Sequence, residues 1–78
     1  MNYLPITDTV SLGTAVRAKR KASGLTQPEL AMASGTGVPF IVDLERGKPT
    51  IQFGKTLDVL AALGIELRAF GAQAVNDG

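Results

Sequence analysis

At 78 residues the chain has room for one compact domain and for no large catalytic architecture. The absence of Cys, His and Trp excludes disulfides, removes the thiolate and imidazole ligands on which zinc and most transition metals depend, and rules out His-activated nucleophiles; neither a metal nor a cofactor is expected. A formal net charge of +1, from 8 Lys and Arg against 7 Asp and Glu, argues mildly against a polyanionic partner, but it averages over unlike regions.

The first ten residues, Met1 to Val10, set Pro5 among the β-leaning Tyr3, Ile6, Thr7 and Thr9 and show no helical period, so residues 1–10 are expected as an extended arm. They carry no Lys or Arg and no apolar stretch of secretory length, which makes the cytoplasm the expected compartment. Ser11 then caps a predicted helix from Leu12 to Ala22, with Leu12, Ala15, Val16 and Lys19 on one stripe and Gly24 as its stop.

Thr26 to Glu29 reads T-Q-P-E, a capping box in which the Thr26 hydroxyl meets the Glu29 N–H and the Glu29 carboxylate reaches back to Thr26. It opens a second short helix to Ser34, where Pro28 is tolerated because first-turn N–H groups have no intrahelical partner. Gly35-Thr36-Gly37 make a tight turn, and Pro39 starts a third short helix that ends at Arg46-Gly47, with Ile41, Leu44 and Phe40 as its inward side. Thr50 caps a fourth helix through Leu63, weakened by Gly54 and stopped by Gly64.

Leu57 to Leu63 is apolar on nearly every face, more than three short helices can cover, while hydrophobic residues make up 45% of the chain without any apolar run near the roughly 18 residues that span a bilayer. A soluble protein with no membrane partner is expected. Ile65 to Phe70 alternates as a strand, and one strand cannot satisfy its own ladder. Its partner is either the N-terminal arm or the same strand of a second copy; the homodimer interface would comprise Leu60, Leu63, Ile65, Leu67, Ala69 and Phe70. The expected organisation is an arm over 1–10, a core domain over 11–64, a dimerisation strand over 65–70 and a flexible tail over 71–78.

Two short helices joined by a glycine turn, with one helix before and one after, match a helix-turn-helix unit. The charge map sharpens this. Residues 17 to 55 hold seven basic side chains (Arg17, Lys19, Arg20, Lys21, Arg46, Lys48 and Lys55) against Glu29, Asp43 and Glu45, a balance of +4; Arg68 against Asp8, Asp58, Glu66 and Asp77 leaves −3 elsewhere. Basic charge is concentrated on the unit that would read DNA. An enzyme is not expected, because the Asp residues lie on separate elements without paired spacing, and neither a phosphate-cradling loop nor a nucleophile elbow occurs.

The run Leu12-Gly13 to Arg17, Arg20-Lys21, Gly24-Leu25-Thr26-Gln27 and Glu29-Leu30-Ala31, followed by Phe40-Ile41, Asp43-Leu44-Glu45-Arg46-Gly47-Lys48 and Leu57 to Ile65, resembles the Xre/Cro-type helix-turn-helix family. More narrowly, through Phe40-Ile41 and the short C-terminal strand, it is similar to the HipB-like antitoxins. The resemblance spans residues 11 to 70 and implies an all-α fold, a Cro/repressor-like domain of four to five helices with a short C-terminal β-strand. It also assigns roles: Gln27, Arg46 and Lys48 as phosphate contacts, and Arg20 with Glu45 as a structural ion pair between the first and third helices.

This chain departs from the family at the start of the reading helix, where Gly37, Val38 and Pro39 stand in place of a capping Ser or Thr and polar base-reading residues. With Phe40 nearby, that leaves apolar contact with thymine methyls, readout of a cytosine amino group by Asp43, and DNA shape. The implied function is a transcriptional repressor that binds double-stranded DNA at a palindromic operator as a homodimer, and the antitoxin of a pair with a HipA-like kinase toxin that autoregulates its operon. A stand-alone Xre-type repressor without a toxin, and a protein-interaction module that has lost DNA specificity, are the alternatives.

Overall fold

The computed structural model describes residues 3–71 and contains four helices: α1 (Thr9–Ala22), α2 (Gln27–Ser34), α3 (Val38–Arg46) and α4 (Phe53–Ala62). Helix α1 begins three residues before the expected position. Asp8 is its N-cap and accepts from the Ser11 N–H at 2.7 Å, while the Ser11 hydroxyl oxygen accepts from the Asp8 N–H at 3.1 Å. Ser11 is thus the far member of a capping box rather than the cap itself, and the arm stops at Asp8. Lys19, Arg20 and Lys21 lie in the last turn, where the helix dipole favours positive charge.

Helix α2 opens with the Thr26–Glu29 box as expected, the Glu29 N–H donating to Thr26 Oγ1 at 3.2 Å and the Thr26 N–H to Glu29 Oε1 at 2.8 Å. The hydrogen bond from the Thr26 N–H holds the Glu29 carboxyl below the usual carboxylate range. Gly35, at φ 70°, ends α2 in the left-handed region, and Gly37 leads into α3. Helix α4 starts at Phe53 with Gln52 as an N-cap that makes no side-chain bond, so Thr50 is not its cap and Gly54 falls in the first turn.

Val16, Leu30, Ile41, Leu44 and Val59 are fully buried, and each contributes about 1.5–3 kcal/mol of burial. Leu12, Leu25, Phe40, Ile51 and Ile65 pack around them. The buried side of α1 is Gly13, Val16 and Arg20, not the stripe through Lys19, which is exposed. Gly13 marks the crossing of α1 and α3: a Cβ there would run into the carbonyl oxygens of Leu44 and Glu45.

Leu60 and Leu63, expected at a dimer interface, are 3% and 5% exposed and belong to the core of the single chain. An apolar run does not reveal which of its faces its own domain covers. Residues 65–70 form no strand, because among the described residues no backbone hydrogen bond joins them to a neighbouring segment. Phe70 instead meets Tyr3 edge-on, ring centroids 6.4 Å apart. The arm, the Leu12–Ala15–Ala18 side of α1 and the C-terminal segment thereby enclose a groove of about 1150 Å³. The expected tail over 71–78 lies, apart from Gly71, outside the described residues.

Candidate nucleic-acid interface

The Arg20 guanidinium and the Glu45 carboxylate form a two-pronged pair between α1 and α3, Nε to Oε2 at 2.6 Å and Nη2 to Oε1 at 3.0 Å. Arg20 Nη1 donates to the Leu25 carbonyl at 2.9 Å, so the same side chain also fixes the entry to α2. Gln27, the first residue of α2, donates from Nε2 to Glu45 Oε1 at 3.2 Å. One buried carboxylate therefore ties α1, α2 and α3 together.

Burial pushes the Glu45 carboxyl up, but hydrogen bonds from Arg20 and Gln27 together with the charges of Arg20 and Arg17 outweigh it, and the group sits below its ordinary range. The hydrogen bond to Glu45 likewise raises Arg20 against the effect of burial. Both groups stay charged at neutral pH. Among the described residues, no buried side-chain nitrogen or oxygen lacks a hydrogen-bond partner, which makes the network a rigid element.

The network orients α3, whose outward stripe at helical spacing is Val38, Pro39, Val42, Asp43 and Arg46. Gly37, Val38, Pro39 and Arg46 are exposed. Asp43 is tied to Lys48 in a solvent-exposed pair at 3.4 Å, so Asp43 is partly neutralised where it faces outward. Phe40, expected both on the inward side of α3 and near the DNA, takes the inward side. It is half-buried against the core, with Lys55 Nζ 5.8 Å from its ring centroid, because a bulky apolar side chain beside Ile41 gains more from the core than from solvent.

Three further residues shape the site. Thr9 Oγ1 donates to the Gly47 carbonyl at 2.8 Å, fastening the α3–α4 loop that carries Lys48 to the start of α1. Gly47 has φ 80°, and a Cβ on it would lie 2.7 Å from Val10 Cα, so glycine is required both for the turn and for the approach of α1. Arg17 is exposed on α1 and close enough to Glu45 to stabilise its charge. Its spacing of three from Arg20 was the available sequence signal.

Two short helices in a fixed crossing, a glycine turn between them, and an outward helix flanked by Arg46 and Lys48 define a helix-turn-helix protein. A helix-turn-helix family model matches residues 16–70, and the chain belongs to that family. It is a helix-turn-helix DNA-binding transcriptional regulator. Over 56 residues, 72% of this chain and 74% of the relative, it is 54% identical to an uncharacterized HTH-type transcriptional regulator, y4mF, of Sinorhizobium fredii (strain NBRC 101917 / NGR234).

Among solved structures, it is similar to the restriction-modification controller protein C.AhdI from Aeromonas hydrophila, with a TM-score of 0.68 and 36% identity over 76% of this chain and 86% of that one. The fold also matches a chain of the HipA-HipB-O2-O3 complex, with a TM-score of 0.81 over 91% of this chain and all (100%) of that chain, at 21% identity. Among the described residues no helix is long and apolar enough to cross a membrane, and no group of three or more acidic side chains is placed to hold a metal ion.

Proposed function

We propose that this protein is a dimeric repressor that binds a near-palindromic operator in its own promoter and serves as the antitoxin partner of a HipA-like kinase. The observation that carries the DNA-binding part is the Glu45-centred network, which ties Gln27 to the end of α3, where Arg46 follows Glu45 in the chain and Lys48 lies two residues further on. Gln27, Arg46 and Lys48 bind phosphates, the counterions they release drive affinity, and α3 lies in the major groove. On this face Gln27 keeps its amide on Glu45 while presenting its remaining polar capacity to the duplex.

With Gly37, Val38 and Pro39 at the start of α3, base discrimination comes from thymine methyl contacts, from Asp43 and from DNA shape, and the dimer sums two half-sites about one helical turn apart. The antitoxin part is supported by the HipB-like fold over nearly the whole chain. A second reading, a stand-alone regulator without a toxin, is favoured by the higher identity to a restriction-modification controller, 36% against 21%.

Affinity for the chain's own promoter region, measured against random duplex at several salt concentrations, tests the DNA-binding reading. A clear preference for the promoter with a steep salt dependence is expected. Equal, weak binding to both would favour a protein-interaction module instead. The two regulator readings part on the neighbouring reading frame: co-purification with an adjacent kinase-like protein supports the antitoxin, and lack of any such frame supports the stand-alone regulator.

A further inference from the structure

The start of α3 is chemically one-sided. Val38 is 37% exposed, Gly37 and Pro39 are exposed, and none of the three offers a side-chain donor or acceptor. Pro39 has no N–H either. One turn further along the same stripe stands Asp43, whose side chain is 43% exposed and, among the described residues, is paired with Lys48 alone, at 3.4 Å. An exposed pair of this kind contributes little and is readily exchanged for another. When Lys48 turns to a phosphate, the carboxylate is left as an acceptor beside an apolar surface.

Residues four apart on a helix have Cβ atoms about 5–6 Å from each other, and a helical side chain leans back over the turn before it, so the Asp43 carboxylate converges on the Pro39 ring. A base that satisfies both must show a C5-methyl group and, on the neighbouring ring carbon, a hydrogen-bond donor. Thymine has the methyl group but sets its O4 acceptor against the carboxylate, so it fills only the apolar half of the site. Cytosine and adenine have the amino donor without the methyl group. Guanine shows two acceptors and calls for an Arg or Lys, which the first turn of α3 lacks. 5-Methylcytosine carries the methyl group and the donor side by side.

We propose that the Val38, Pro39 and Asp43 face of α3 recognises 5-methylcytosine in the major groove, with Val38 and Pro39 covering the C5-methyl group while the Asp43 carboxylate accepts from the N4 amino group. The proposal rests on the DNA-binding reading with α3 in the major groove, and it makes operator binding responsive to cytosine methylation. The two engagements of Lys48 fit together, since its ammonium leaves Asp43 for a phosphate as the carboxylate takes up the base.

The chain's own promoter fragment, synthesised either with cytosine or with 5-methylcytosine at every cytosine, supplies the probes. Titrated with the full chain at fixed salt, the methylated duplex should bind about fourfold more tightly for each methyl group covered, or about fifteenfold over two half-sites. The double variant Val38→Ala, Pro39→Ala, altered at exposed positions, should lose that gain. At the cytosine where one methyl group reproduces the gain, thymine should bind more weakly than 5-methylcytosine, and Asp43→Ala should make the two equal. Equal affinity for the two promoter duplexes, a gain that persists in the double variant, or thymine binding as tightly as 5-methylcytosine to the unaltered chain would each overturn the proposal and leave DNA binding in place. A chain that binds promoter and random duplex alike, methylated or not, would overturn the DNA-binding reading itself.

Discussion

Arg20 on α1 and Glu45 on α3 approach to 2.6 Å through a two-pronged contact that is almost wholly shielded from water, and Gln27 of α2 reaches the same carboxylate. The relation between the two helices of the reading unit thus depends on a charge pair supplied partly by the helix before it. Removing either partner strands a buried charge. Arg20→Ala or Glu45→Ala should destabilise the fold by about 3–5 kcal/mol in urea unfolding, whereas Lys19→Ala, on the exposed side of α1, should change it by less than about 0.5 kcal/mol.

The pair also sets an acid dependence. Glu45 is held below its ordinary value of 4.5 in the folded chain, so its contribution is fully present above that value and is lost as pH falls through the lower folded value. The raised Arg20 stays charged throughout this range and adds no slope. Thermal unfolding followed from pH 7 towards pH 3 (roughly the window of carboxylate titration) should show stability falling at the acid end, and Glu45→Gln should reduce that fall. Asp8 and Glu29, lowered by their capping hydrogen bonds, would sustain the remainder.

Gly47 and Gly24 make a matched comparison. Both have φ above 70°, but nothing stands near a Cβ on Gly24, while one on Gly47 meets Val10 backbone at 2.7 Å. Gly24→Ala should cost about 1–2 kcal/mol, the intrinsic left-handed penalty. Gly47→Ala should cost clearly more and should also weaken DNA binding, because α1 and the Lys48 loop are forced apart. Equal losses in unfolding experiments would show that the contact relaxes freely.

Leu60 is buried near the end of α4, whereas Phe53, two turns earlier, is exposed at its start. Leu60→Ala should lose about 2–5 kcal/mol of stability because its side chain fills the core. Phe53, 62% exposed, should lose little when changed to Ala. Differential scanning calorimetry of the two variants distinguishes them directly.

What could be read from the sequence was what local chemistry decides. The Thr26–Glu29 box places the start of α2 because both its members lie within one turn, and Gly35 and Gly47 mark helix ends because both need the left-handed region. The start of α1 was misplaced because Ser11 is a good cap by itself, and only the geometry shows the Asp8 carboxylate already holding its N–H. At α4, Ile51 packs against the core and the helix opens after it, so a tertiary contact overrides the preference of Thr50 for capping. The roles of Leu60 and Leu63 depended on which side of a helix the domain covers, and an apolar run carries no such information. The two branches of the Glu45 network were unequally visible: the Arg20 partner came with the family resemblance, whereas the Gln27 contact and the Thr9 anchor on Gly47 join residues 18 and 38 positions apart.

We propose that Arg46, the last residue of α3, and Lys48, in the loop that Thr9 fastens to α1, are phosphate contacts of a DNA-reading face. The most direct measurement is the salt dependence of operator binding for the double variant Arg46→Ala, Lys48→Ala. Affinity should fall for all duplexes alike, and the slope of log affinity against log salt should flatten by about 0.9 for each phosphate contact removed, with unfolding stability unchanged. An unchanged slope in a folded double variant would show that Arg46 and Lys48 do not meet phosphate and would place the DNA face elsewhere.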